Sequence, residues 1–372
     1  MSDIAPLEAE IRTLIRAAGP MPVWRYMQLC LTHPRYGYYI ARDPLGREGD
    51  FVTAPEVSQM FGELIGLWAA SVWRMIDEPA EINLIELGPG HGTMMADALR
   101  AIRVLPAFRS AVTVHMIEVN PALRHRQVKA LADAGEVFWH ERIDDVPDGP
   151  SIILANEYFD VLPVHQMVRQ DGGWHERVIE IGADGNLAFG VAPKPSPRFE
   201  TLLPPQVAAA PQGAIFEWRP DGEILRIASR VRDFGGAALI IDYGHARSDA
   251  GDTFQAVARH AYADPLKNPG TADITAHVDF DALKRAAEAG GARAHGPVEQ
   301  GTFLRRLGIE ARAHALMTSA APAVAQDIAV ALQRLTSSGR GGMGSMFKVL
   351  GIANPTIPML VGLTDQPEDA MP

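Results

Sequence analysis

The chain has 372 residues, 47% of them apolar, a formal charge of −11 and a single cysteine, Cys30. That length suggests two domains or one large domain with a substantial insertion, and the apolar share is enough for a packed core. One cysteine excludes an intramolecular disulfide and a cysteine-based metal site, and with no zinc-ligand spacing, basic run or arginine-rich tail, neither a metal nor a nucleic-acid partner is expected.

The first ten residues are acidic and lack a long apolar run, unlike a secretory signal or an arginine-rich transit peptide. No run of about 20 apolar residues exists, so no membrane span is expected. The expected location is cytoplasmic for a bacterial-type chain, or the mitochondrial matrix for a eukaryotic chain whose transit peptide has been removed. Residues 1–80 read as an N-terminal helical region with a lid loop. Leu7, Ile11, Leu14 and Ile15 make one apolar stripe; Met60, Phe61, Leu64, Ile65, Leu67, Trp68, Val72 and Trp73 make a stronger one. Between them, residues 32–55 are rich in Gly, Pro and Tyr, and a loop that long is usually functional. Thr53 and Glu56 are polar residues set among aromatics. They face a cofactor or acceptor, or they cap the helix that follows Pro55.

Next comes Ile82-Asn-Leu-Ile-Glu-Leu-Gly-Pro-Gly-His-Gly-Thr-Met94. Ile82, Leu84, Ile85 and Leu87 make a strand apolar on both faces, as in a central parallel strand. Glu86 leads three glycines at alternate positions, Gly88, Gly90 and Gly92. The first two let the chain turn and approach a ligand, and Gly92 lets the following helix pack closely. A dinucleotide loop reads Gly-x-Gly-x-x-Gly and would place its third glycine or an alanine at position 93, which is Thr. The alternate-glycine pattern behind an acidic residue suits S-adenosylmethionine, which has no pyrophosphate and carries a sulfonium and an ammonium that a carboxylate can steady. Glu86, Gly88, Pro89, Gly90 and Gly92 are therefore cofactor-binding candidates.

Val112, Val114, Met116, Ile117 and Val119 form a second strand, with Glu118 at its tip, 30 positions after Gly88. A carboxylate there is placed to grip both ribose hydroxyls in a doubly wound sheet. Phe138 and Trp139 belong to a short third strand, and topology puts Asp144 or Asp145 within reach of an adenine amino group. The apolar run Ile152-Ile-Leu154 then leads into Asn156, Glu157, Tyr158, Phe159 and Asp160. Ligands of open α/β sheets bind at such carboxyl ends, and a cationic acceptor would need carboxylates to orient it and accept its proton. Asn156 or Asp160 could equally cap the next helix with the aromatics in the core; the two readings are compatible.

From Val164 to Pro220 short antiparallel strands alternate with Asp-Gly turns and a Pro-rich segment, an insertion over the cofactor sheet. The sheet resumes at Ala237–Asp242; Asp242, Tyr243 and His245 sit at its tip, with His245 a general base or a structural residue. Ala292-Arg-Ala-His295 and Phe347-Lys-Val-Leu-Gly-Ile352 form a closing hairpin. The stretch Ser337-Ser-Gly-Arg-Gly-Gly-Met-Gly344 resembles a phosphate nest but lacks the Lys-Ser/Thr of a P-loop, so it reads as a loop.

Several blocks carry a family resemblance: His33-Pro-Arg-Tyr-Gly-Tyr-Tyr39, Gly49-Asp-Phe-Val-Thr-Ala-Pro-Glu56, Phe61-Gly-Glu-Leu-Ile-Gly66, the Glu86 glycine loop, Ala155-Asn-Glu-Tyr-Phe-Asp160, Ile241-Asp-Tyr-Gly244, Asp273-Ile-Thr-Ala-His-Val-Asp-Phe280, Gln300-Gly301 with Phe303-Leu304, and Met343-Gly-Ser-Met-Phe-Lys348. They resemble the MidA family, which includes the mitochondrial methyltransferase that assists assembly of respiratory complex I. The likeness spans nearly the whole chain. The segment from Asp252 to Ala263 departs from the family's basic, Tyr- and His-containing run, so no role is carried over for Arg259, His260 or Tyr262.

The resemblance implies an S-adenosylmethionine-dependent methyltransferase of α/β class, with a Rossmann-like class I methyltransferase sheet, mostly parallel and closed by an antiparallel hairpin. It further implies an N-terminal helical region and an inserted α+β substrate subdomain. The expected divisions are 1–80, 81–163 and 236–363 for the helical region and the two halves of the sheet, 164–235 for the insertion, and 364–372 for a disordered tail. The mitochondrial member methylates an arginine on a complex I subunit, so the expected partner is a protein substrate of that kind. A guanidinium calls for carboxylates: Glu157 and Asp160 first, then Glu56, with Asp242 in reserve. Thr53 and Asn156 join the cofactor-binding candidates. The alternatives are a non-catalytic assembly factor that binds S-adenosylmethionine, and a methyltransferase with a small-molecule or RNA acceptor. A dehydrogenase is disfavoured by Thr93.

Overall fold

A computed structural model describes residues 5–41, 53–196, 199–259, 261–339 and 341–364. Residues 42–52 of the expected lid loop, His260, Arg340 and the expected disordered tail beyond 364 lie outside the described residues. The chain forms two compact units, one comprising Met1–Phe51, Phe159–Pro220 and Arg247–Asp279, the other Val52–Tyr158, Asp221–Ala246 and Phe280–Pro372.

The second unit is built on seven strands of one sheet: β1 (Ile82–Leu87), β2 (Val112–Ile117), β3 (Val137–His140), β4 (Ser151–Asn156), β5 (Gly236–His245), β6 (Arg293–Glu299) and β7 (Phe347–Ala353), in the order β6-β7-β5-β4-β1-β2-β3. Leu84 lies opposite Val114 on one side and Ile152 on the other, in parallel register. Leu239 faces Leu154 in parallel and Gly351 antiparallel, so β7 closes the sheet against β5. The expected antiparallel closing pair is present, although three helices lie between its two strands. Its first strand runs on to Glu299 through a register shift between His295 and Val298, further than the apolar pattern indicated.

Alternate residues explain the near-continuous apolar strands. Ile82, Leu84, Val112, Val114, Ile152, Leu154, Leu239 and Ile241 share one core cluster, while their neighbours Ile85, Leu87, Ile153, Ala238 and Ile240 are equally buried. A strand covered on both faces has no polar side to present. On the first face lie α1 (Gln59–Met75) and α2 (Thr93–Ala101). The two helices meet at glycines. A Cβ on Gly62 would stand 2.6 Å from the Asp97 Cβ, and one on Gly66 would stand 2.7 Å from the Ala98 carbonyl oxygen. The Phe61–Gly66 block thus sets how closely α1 packs on the helix that leaves the glycine loop. The remaining helices used below are α3 (Pro121–Ala130), which follows β2, and α4 (Gly222–Phe234).

The first unit joins helices Pro6–Ala18 and Val23–Thr32 to an antiparallel sheet of His165–Gln170, Gly173–Ile181, Leu187–Pro195 and Ile215–Trp218, with a smaller three-stranded sheet at 255–275. Leu7, Ile11, Ile15, Tyr26, Met27, Val164, Ile179 and Ile274 share its core. Arg219 staples two of its segments. The guanidinium donates to the carbonyls of Asp160 and Leu162 and to those of Ala276 and His277.

Candidate active site

β1 delivers the chain into a loop that only glycine tolerates at alternate positions. Gly88, Gly90 and Gly92 have φ of +61°, +53° and +83°, in the left-handed region that side chains rarely adopt. The Gly88 amide donates to the Ile117 carbonyl of β2, and the Gly92 amide donates to the Pro89 carbonyl, closing the turn. Gly92 is then the N-cap of α2. A Cβ on Gly88 would stand 2.9 Å from the Tyr158 ring, so the aromatic residue after β4 packs directly on the loop.

Glu86 is buried beneath that loop. Burial pushes its carboxyl up to about 8, and a hydrogen bond from the Met95 amide of α2 pulls the other way. Its Oε2 has no hydrogen-bond partner among the described residues. A helix N-terminus favours negative charge, which explains why an acid is tolerated there at all.

Glu118, at the tip of β2, is 7% exposed. Its Oε1 accepts the Asn120 amide at 2.7 Å, and its Oε2 accepts Nε2 of Gln127 at 3.2 Å. Burial raises its pKa, against these bonds. Gln127, on α3, was not singled out in the sequence. The signal is legible in retrospect: position 127 continues the stripe of Leu123 and Leu131, where an apolar residue belongs, and it is fully buried.

At the tip of β4, Glu157 has φ +51°, a left-handed conformation that is strained for a residue with a side chain. Its own amide donates to the Ile241 carbonyl of β5 at 2.9 Å. Its Oε1 accepts the Ala54 amide and the Asn156 Nδ2, both at 3.2 Å. Asn156 leaves Oδ1 buried without a hydrogen-bond partner among the described residues. Ala54 opens the short helix Ala54–Val57. Thr53 stands at its N-cap but makes no side-chain capping bond, so the helix start is met by Glu157 instead.

The same short helix carries Glu56. Its Oε1 accepts the Thr93 hydroxyl at 2.6 Å and lies 3.4 Å from Nδ1 of His91. Those bonds, His91 first, hold the Glu56 carboxyl below its usual range against partial burial. Glu56 is therefore tied to the glycine loop.

The candidates do not all gather. Glu56, Glu86, the glycines, Glu118, Asn156 and Glu157 belong to the second unit, whereas Asp160 belongs to the first. Asp160 is buried, its carbonyl bonded by Arg219 and the Ala276 amide. Asp242 is fully buried, with Oδ1 accepting the Tyr243 amide. The Asp144 carboxylate is engaged by Arg142 at 3.0 Å and by Arg226 of α4 at 3.1 Å. The Tyr158 hydroxyl donates to Glu223 of α4 at 3.3 Å. In the glycine-rich stretch after Thr336, the Gly344 amide donates to the Ser337 carbonyl and the Gly342 amide to the Gly339 carbonyl.

Residues 64–298 match a family model described as "Putative S-adenosyl-L-methionine-dependent methyltransferase". The chain is 38% identical over 377 aligned residues to "Protein arginine methyltransferase NDUFAF7 homolog, mitochondrial" of Drosophila melanogaster, covering 93% of this chain and 84% of that one. It is 36% identical over 353 aligned residues to the Homo sapiens "Protein arginine methyltransferase NDUFAF7, mitochondrial", covering 87% and 78%. A crystal structure of a Burkholderia thailandensis protein bound to S-adenosyl-homocysteine superimposes with a TM-score of 0.81 at 28% identity, covering 96% of this chain and 93% of that chain. The MidA resemblance read from the sequence is borne out. The chain belongs to this family of S-adenosylmethionine-dependent methyltransferases, enzymes with S-adenosylmethionine as cofactor.

Proposed function

We propose that this enzyme methylates an arginine of a protein substrate, with Glu157 the carboxylate that orients the guanidinium. The carrying observation is Glu157 itself: a backbone-strained acid at a strand tip, its Oε1 anchored by the Ala54 amide and Asn156 before any acceptor arrives. Strain of about 1–3 kcal/mol persists only where the surroundings enforce it, and it clusters at functional sites. The curated relatives named as protein arginine methyltransferases support the choice of acceptor.

The residues present fit the cofactor. Gly88, Gly90 and Gly92, in left-handed backbone on either side of Pro89, present a cradle without side chains at those three positions. Glu118, at the tip of β2, is our candidate for the ribose hydroxyls, and Oε2 of Glu86 and Oδ1 of Asn156 are buried acceptors with no hydrogen-bond partner among the described residues. Glu56 of the short helix is tied to the loop through Thr93 and His91, and Thr53, at the N-cap of that helix, is the further cofactor candidate of the proposal. When bound, S-adenosylmethionine supplies a methyl group on sulfur for in-line displacement: an N–C bond forms as the C–S bond breaks, and its electron pair stays on sulfur. The guanidinium nitrogen that gains the methyl loses a proton, which Glu157 accepts and passes to solvent. Alignment of nucleophile and methyl is the main service of the site, and positioning of this sort contributes on the order of 7–11 kcal/mol. Asp160 and Glu56 are the further carboxylates of the proposal, with Asp242 in reserve.

We further propose that the substrate resembles a respiratory complex I subunit, and that the enzyme works in the bacterial cytoplasm or, for a eukaryotic chain, in the mitochondrial matrix. No helix among the described residues is long and apolar enough to cross a membrane. The net charge of −11 favours a basic target segment. Methyl transfer from tritiated S-adenosylmethionine into a lysate of cells lacking this protein tests the proposal. One labelled protein bearing methylarginine is expected. Label found only in small molecules or RNA would overturn the protein acceptor, and no label with cofactor binding intact would favour a non-catalytic assembly role.

A further inference from the structure

We infer that Gln127 is a positioning residue for the cofactor site, holding the Glu118 carboxylate and the Gly90 carbonyl in one hydrogen-bonded arrangement. The inference rests on the reading that Glu118 grips the ribose and that residues 88–92 hold the cofactor. Gln127 is fully buried on α3. Its Nε2 donates to the Gly90 carbonyl at 2.8 Å and to Oε2 of Glu118 at 3.2 Å, while its Oε1 accepts the Trp139 indole N–H at 2.9 Å. The chemistry fixes the orientation of the amide. An indole N–H only donates, so the oxygen faces Trp139 and the nitrogen faces the two acceptors.

Three strand tips are thereby joined through one side chain: the loop after β1, the acid after β2, and Trp139 of β3. A ribose presents two hydroxyls, and a carboxylate accepts both only when its plane is set. The Asn120 amide fixes Oε1 and Gln127 fixes Oε2. The second Nε2 bond restrains the Gly90 peptide, whose left-handed backbone shapes the loop. A buried amide at an apolar stripe position is costly unless its bonds are made, and here both donors and the acceptor are used. Gly92 lies beside the same side chain: a Cβ there would stand 3.4 Å from Cγ of Gln127, in ordinary van der Waals contact.

The test is the affinity for S-adenosylhomocysteine, measured by calorimetry on the wild type, Gln127→Leu, Glu118→Ala and the double variant, with melting curves to establish folding. Gln127→Leu is expected to weaken binding about tenfold in the wild type. It should cost no more than about threefold in the Glu118→Ala background, where only the Gly90 carbonyl remains to be held. A general packing role would give the same factor in both backgrounds, and that outcome overturns the inference. So does wild-type affinity in Gln127→Leu when Glu118→Ala binds weakly. Wild-type affinity in Glu118→Ala removes the ribose reading, and the inference with it. Should Gln127→Leu fail to fold, Gln127→Glu keeps the length and the acceptor for Trp139 while losing both donors. It is expected to weaken binding at least as much, and wild-type affinity there overturns the inference.

Discussion

Two strand tips of the same sheet solve the problem of holding a ligand in different ways. After β1 the site is backbone: three left-handed glycines, a turn closed by Gly92 and Pro89, and the start of α2. After β4 it is side chain: Glu157 held by the Ala54 amide and by Asn156. A backbone site depends on local conformation and is written locally. A side-chain site depends on partners brought from elsewhere; Ala54 lies 103 positions from Glu157.

The comparison can be broken most severely at the loop. Gly90→Val places a β-branched residue at φ +53°, and about 3 kcal/mol of strain corresponds to a loss of about 100-fold or more in affinity for S-adenosylhomocysteine. Calorimetry checks it, and near-normal affinity would show that the loop is not the cradle. Glu157→Gln separates the two tips. Cofactor binding should stay within about twofold while turnover falls about 100-fold, the lower end of what a positioned proton acceptor contributes. Normal turnover would remove Glu157 from the catalytic proposal.

Gly66→Ala probes the helix that carries the loop. The new Cβ would lie 2.7 Å from the Ala98 carbonyl oxygen, so α1 or α2 must shift, with an expected cost of about 1–3 kcal/mol read in denaturant unfolding. An unchanged midpoint would mean that the helices separate freely.

Glu86→Gln sharpens the account of the loop's underside. Burial raises the carboxyl from 4.5 to about 8, so the cofactor-free folded protein keeps a proton that the unfolded chain releases. That contribution to stability is present below pH 4.5 and is lost as pH rises towards about 8. The variant has no such proton. The wild-type melting temperature should therefore fall relative to that of the variant across this window, and parallel curves would contradict a buried, unpaired acid.

Much of the fold was legible because its determinants are local and periodic. The strand around Leu84 read as buried on both faces, those around Val114, Ile153 and Leu239 read as apolar strands, and the antiparallel pairing of 292–295 with 347–352 was expected, though not the run of the first strand on to Glu299. Gly88, Gly90 and Gly92 were legible because left-handed backbone has a residue-type signature. Gln127 was not. Its place on the stripe of Leu123 and Leu131 signals burial at most, and only the convergence of Gly90, Glu118 and Trp139 shows what the amide bonds. The bond from Thr93 to Glu56 and the packing of Tyr158 on Gly88 were hidden for the same reason.

By itself the sequence determined the class of sheet, the glycine cradle and the acids at the strand tips, because burial pattern and backbone handedness are properties of short segments. Tertiary structure alone decided what each acid meets. Glu86 turns to the start of α2, Glu56 to the loop, Glu118 to Gln127, and Glu157 to an amide far away in the chain. Hydrogen-bond partners, unlike periodicity, are chosen by which distant segments the packed core brings together.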